Sequence, residues 1–121
     1  MNPIDAYMKS SVQTASPMQQ VILLYDKAIL SLKMAKESIE KNDIKTKIEQ
    51  ITKCQDIIRA LDSALDFEKG GDIAKNLHSL YDFIESSLFK AHANNDIKLI
   101  EDLIEILSTL KEGWEGIESK I

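Results

Sequence analysis

Thr14-Ala15-Ser16-Pro17-Met18-Gln19-Gln20-Val21-Ile22-Leu23-Leu24-Tyr25-Asp26 is the stretch on which the reading of this chain turns. Ser16 is placed to N-cap a helix, accepting a hydrogen bond from a free backbone N–H. Pro17 then takes the first helical position, where a missing N–H costs nothing. Gln19, three residues after Ser16, can reach back and complete a capping box. A long helix therefore opens here and divides a short N-terminal segment from the rest of the chain.

Downstream, helical periodicity continues with few breaks. Over residues 17 to 41, Val21, Ile22, Tyr25, Ala28, Ile29, Leu32, Ala35 and Ile39 fall on one stripe. Leu23, Leu30 and Met34 lie roughly opposite, a second apolar patch that a simple bundle helix does not need. Asn42-Asp43 caps a second helix over residues 44 to 67, with Ile44, Ile48, Ile51, Ile58, Leu61 and Leu65 inward. Cys54, Ile57 and Ala64 widen that stripe beyond the ~100° of a one-sided helix. Gly70-Gly71 is expected to stop this helix and Asp72 to cap the next, over residues 73 to 93. Its stripe is Ile73, Leu77, Leu80, Tyr81, Ile84, Leu88 and Ala91, with Phe83 and Phe89 outside. After Asn94-Asn95-Asp96, a fourth helix over residues 97 to 117 turns Ile100, Leu103, Ile104, Leu107, Leu110 and Trp114 inward, with Leu99 and Ile106 as a shoulder. The tetrapeptide Asn-Asp-Ile-Lys at 42 to 45 returns at 95 to 98, which reads as one capping solution used twice. Tyr25 and Tyr81 point inward, so their hydroxyls need partners.

Helices of about 21 to 25 residues, roughly 30 to 37 Å long, joined by short connections make antiparallel neighbours. The predicted fold is all-α, an antiparallel up-down-up-down four-helix bundle with a short N-terminal helical segment. Residues 1 to 121 form one domain, with the bundle over 17 to 121 and the segment over 1 to 11. Ile4, Tyr7 and Met8 share a face of that segment, which is too short to stand alone and must dock on something.

The net charge of -5 disfavours nucleic acid or an anionic membrane surface as partner. No apolar run approaches the roughly 18 residues that span a bilayer, so no membrane insertion is expected. The start Met1-Asn2-Pro3-Ile4-Asp5 lacks the basic and apolar regions of a secretory signal, and the expected location is cytoplasmic. Cys54 is the sole cysteine, so no internal disulfide forms, which fits a reducing compartment.

Catalytic readings fail one by one. A di-iron bundle needs Glu-x-x-His pairs, but Lys75 and Phe89 stand three residues before His78 and His92. A histidine phosphotransfer bundle needs an exposed helical His with a nearby Lys and Gly, and Ser79-Leu80-Tyr81-Asp82 after His78 supplies neither. Cys54 has no cationic activator on its face and reads as packing. Glu101, Asp102 and Glu105 form a solvated face, and Gly70-Gly71 lacks the strand that a phosphate-cradling loop requires. No catalytic residue, metal or cofactor is expected. Apolar surface is what remains, and it points to a protein-binding module. The candidate contacts are Leu23, Leu30, Met34, Ile57, Ala64, Leu99 and Ile106. Ile4, Tyr7 and Met8 are candidates to cover that surface until a client arrives.

Several motifs in order resemble the FliS family of flagellar secretion chaperones. They are Ala6-Tyr7, Val12 with Thr14-Ala15-Ser16-Pro17, Leu24-Tyr25-Asp26 with Ala28-Ile29, Gly70-Gly71 with Ile73-Ala74 and Asn76-Leu77, Leu80-Tyr81-Asp82, and Leu110 with Trp114. Lys27 replaces a usual Gly and His92 a usual Asn. The resemblance implies a small antiparallel helical bundle of the bacterial cytoplasm, without catalytic activity or need for nucleotide. It implies binding to the C-terminal region of flagellin, which is disordered before assembly, so that polymerisation is delayed and delivery to the flagellar type III export gate assisted. A helical adaptor for another amphipathic client and a histidine phosphotransfer bundle are the alternatives.

Overall fold

The computed structural model describes residues 16–119. Four helices run in series: α1 Pro17–Glu40, α2 Ile44–Ser63, α3 Phe67–Asn94 and α4 Ile97–Glu118. No strand occurs among the described residues. α1 packs on α2 and α4, and α3 completes the square against the same two helices, with α3–α4 the sparsest of these four seams. This is the expected antiparallel four-helix bundle.

The capping box forms as expected. Gln19 N–H donates to Ser16 Oγ at 3.1 Å, and Ser16 N–H donates to Gln19 Oε1 at 3.0 Å. The repeated tetrapeptide gives the same turn twice. Asn42 and Asn95 take left-handed φ values of 59° and 49° at the ends of α1 and α3, a conformation that asparagine tolerates better than most residues. Asp43 and Asp96 then N-cap α2 and α4 by accepting from Thr46 N–H and Leu99 N–H.

The α2–α3 corner departs from the expected one. α2 ends at Ser63, and Asp66 caps α3 by accepting from Glu68 N–H and Lys69 N–H, so neither Gly70-Gly71 nor Asp72 sets these boundaries. The glycines instead lie inside α3, where Gly71 at φ 50°, ψ −125° kinks the helix after its first turn. Gly70 is needed for a different reason, because a Cβ there would meet Ala74 Cβ at 2.9 Å.

The core is built on fully buried Tyr25, Leu32, Ile58, Ile84, Leu88, Ile100, Leu103 and Leu107. Ala28, Ser31, Ala35 and Ser38 are also buried along α1. The two serines satisfy their hydroxyls within the helix, donating to the carbonyls of Lys27 and Met34. Three isoleucines expected inside are exposed: Ile44 at 66%, Ile48 at 46% and Ile73 at 70%. On α2 the inward position near the helix start goes to Lys47, which is 8% exposed. Its ammonium donates to Asn95 Oδ1 at 2.7 Å and to the His92 carbonyl at 3.4 Å. A cation thus meets the carbonyl end of α3, where the helix dipole favours it.

Candidate functional site: an apolar trough at one end of the bundle

Tyr25 and Tyr81 find each other. Their hydroxyls lie 2.6 Å apart in the buried interior and bridge α1 to α3 across the bundle. Burial, with the hydrogen bond to Tyr25 second, pushes the Tyr81 hydroxyl well above the ordinary phenol range. Tyr81 also lines an apolar groove of about 360 Å³ at the end of the bundle where α1 begins and α4 finishes. Its walls are Val21 from α1, Leu61 from the end of α2, Leu65 from the α2–α3 turn, Ile73 and Leu77 from α3, and Trp114 from α4. The Gly71 kink and the exposed Ile73 lie at the start of α3, beside this groove.

One turn along α3 and α4, a second groove of about 390 Å³ lies between Leu80 and the pair Ile106 and Leu110, with Asp102 and Glu105 on its rim. Trp114 to Leu110 and Leu77 to Leu80 are single helical turns, so the two grooves form one trough. Lys111 binds Asp26 at 2.6 Å between α4 and α1, and Arg59 Nε binds Glu85 at 2.6 Å between α2 and α3. Among the described residues no ion pair crosses between α3 and α4.

The residues nominated from sequence divide between places. Ala64 lines the end groove and Ile106 the side groove. Leu99 is partly buried and packs on the core. Leu23, Leu30 and Met34 stand on the outer face of α1, 47%, 56% and 40% exposed, and line neither groove. Ile57 is a correction: at 8% exposure it belongs to the core and offers no free surface, because the buried arc of α2 is wide enough to include it. Ile4, Tyr7 and Met8 lie outside the described residues. Sequence reasoning missed Val21, Leu65, Ile73, Leu77, Leu80, Leu110 and Trp114 as groove surface. All seven carry a core-stripe signature, and periodicity reports a residue's face but not its height along the bundle axis. The pairing of Leu110 with Trp114 in one motif was the available signal.

The reactive side chains do not build a catalytic arrangement. Cys54 is sealed in the core, and burial pushes its thiol up to about 12. His78 is flanked by carboxylates on both ring nitrogens, Nδ1 2.6 Å from Asp62 and Nε2 3.5 Å from Asp82. The hydrogen bond to Asp62, followed by the charges of Asp62 and Asp82, raises its pKa above the ordinary imidazole value. Two flanking negative charges oppose transfer of an anionic phosphoryl group to either nitrogen.

Comparison with known proteins agrees with this architecture. The sequence profile of the family described as Flagellar protein FliS matches residues 1–121. The flagellar secretion chaperone FliS of Vibrio cholerae is 40% identical over 118 residues, covering 94% of this chain and 87% of the relative. That of Salmonella typhimurium is 39% identical over 114 residues, covering 93% and 84%. A solved bacterial flagellar chaperone superposes with a TM-score of 0.82 at 20% identity, over 99% of this chain and all of the other, and so supports the fold.

Proposed function

From the premise that this chain belongs to the FliS family of flagellar secretion chaperones, a non-enzymatic class, we propose that its client is the C-terminal region of flagellin. The trough is the observation that carries this reading. It is long, apolar and open, and it suits an amphipathic client helix laid into a groove. Flagellin's end must be amphipathic to pack in a filament, and before assembly it needs another apolar surface. A segment that orders on binding can cover on the order of 1,000 to 3,000 Å², with part of the gain lost to ordering. Binding is therefore firm yet reversible, which suits a chaperone that must release its cargo at the export gate in the bacterial cytosol.

Within this reading Ala64 and Ile106 touch the client along the trough, and Leu99, half-buried on α4 outside the two grooves, is a further contact. Leu23, Leu30 and Met34 offer a second strip on α1 for a client that wraps the bundle. No helix among the described residues is long and apolar enough to cross a membrane. Calorimetry of the full chain against flagellin, whole and without its C-terminal segment, tests the proposal. Binding to the intact protein alone, with a negative heat-capacity change, is the expected result. Equal binding to both forms, or to neither, overturns it and turns attention to other amphipathic helices.

A further inference from the structure

The cluster of Asp62, His78 and Asp82 has no part in client binding as proposed above. It joins the end of α2 to α3, with side chains 30%, 44% and 65% exposed. Asp62 Oδ1 lies 2.6 Å from His78 Nδ1, so Nδ1–H donates to that carboxylate and the neutral ring keeps its lone pair on Nε2. The ring is also held by Phe67, whose centroid is 5.8 Å away in an edge-on arrangement at 81°. The free Nε2 lone pair therefore faces a second acceptor, Asp82 Oδ2, at 3.5 Å. With the ring neutral, two acceptors face each other at Nε2, an arrangement that a cation between them satisfies.

The separation suits a shared ion. A hydrogen bond from an imidazolium would close to about 2.7–2.9 Å. Two ligand atoms on a tetrahedral ion, each about 2.0–2.2 Å from the metal, lie about 3.3–3.6 Å apart, which brackets the observed distance. The spacing of His78 and Asp82, four residues apart, sets both ligands on one helix face. All three potential ligand atoms lie within 4.8 Å of one another.

We propose that His78 Nε2 and Asp82 chelate a divalent transition-metal ion of the zinc class, with water completing the shell. Asp62 is a positioning residue that orients the imidazole through Nδ1, the common arrangement for a metal-bound histidine. An imidazole–carboxylate pair favours zinc, copper or nickel over magnesium or calcium, which take mainly oxygen ligands. Leu61 and Leu65 flank Asp62 in sequence, and Leu77 adjoins His78; all three line the end groove. A bound ion thus steadies one wall of the trough without entering it.

The test is isothermal titration of the full chain with ZnCl2 in a non-chelating buffer, with MgCl2 as counter-probe. Saturable 1:1 binding that excess MgCl2 does not displace is expected. His78→Gln abolishes it, Asp62→Asn weakens it by about 10- to 100-fold, and Asp82→Asn weakens it further, whereas His92→Gln leaves it intact. With bound zinc, the His78 ring-nitrogen resonances report the Nε2-ligated tautomer, and Asp62→Asn shifts them. Circular dichroism shows whether each variant is folded, and the exposed Asp82 gives a decisive variant if His78→Gln is not. Absence of saturable heat, full retention in folded His78→Gln or Asp82→Asn, or loss with folded His92→Gln overturns the proposal.

Discussion

Removing one hydroxyl from the Tyr25–Tyr81 pair costs more stability than removing both. Tyr25 is 0% and Tyr81 3% exposed, and their hydroxyls are 2.6 Å apart. Phenylalanine keeps the ring volume, so little cavity cost accompanies either substitution. A single change strands the other hydroxyl, and an unsatisfied buried polar group costs about 1–3 kcal/mol. Tyr81→Phe falls at the upper end, because the stranded Tyr25 hydroxyl is fully sealed. Tyr25→Phe falls lower, because Tyr81 borders the end groove, where water can approach. The double variant removes donor and acceptor together and returns close to the parent stability. The expected coupling is the sum of the two single losses, about 2–6 kcal/mol, large against the 5–15 kcal/mol typical of a whole domain. Urea unfolding followed by circular dichroism measures it, with equal m-values confirming that the compactness of the two states has not changed. If the double variant loses the sum of the two singles, the hydroxyls are not mutually dependent and the reasoning fails.

Ile57→Asp should unfold the bundle, whereas Leu30→Asp and Ile106→Asp should leave it folded with weakened flagellin binding; circular dichroism and calorimetry separate the two outcomes. Gly71→Ala should lower stability by about 1–3 kcal/mol in denaturant titration, since alanine cannot hold the kink's φ of 50° without strain. Lys47→Met removes the charged hydrogen bond to Asn95 and should cost about 1.5–3 kcal/mol by the same titration. Deleting Met1 to Ser11 should leave flagellin affinity equal or higher if that segment covers the trough, and a sharp loss would make it a contact instead.

Local rules were legible wherever short-range chemistry decided the outcome. The Ser16–Gln19 box, both Asn–Asp turns and the central core stripes follow from a few neighbouring residues. The inward tyrosines were legible as core, but their partnership was not, because it joins residues 56 positions apart. The α2–α3 corner was misread because Gly-Gly resembles a stop signal, while Asp66 supplies a competing cap only four residues earlier. The burial of Lys47 was not legible because a lysine at a stripe position looks like an interruption, and only the nearby end of α3 shows what satisfies its charge. At the proposed binding surface the gap was axial. Leu77, Leu80, Leu110 and Trp114 repeat as core residues do, and no sequence period tells how far along the bundle the fourth neighbour falls away.

The two ends of the molecule are built unequally, and that has a consequence for its motions. At one end, two like asparagine–aspartate turns are tied together by Lys47 reaching Asn95. At the other, the α2–α3 corner carries a backbone kink and an open apolar mouth. Resistance to local opening then falls along the axis, and amide protons near Leu65 and Leu77 should exchange with solvent sooner than those near Ile51 and Leu88. A client pressing into the loose end meets backbone that can adjust, while the stitched end holds the four helices in register. On the proposed function, capture and release of cargo would then proceed by rearranging one pole, without passing through an unfolded chaperone.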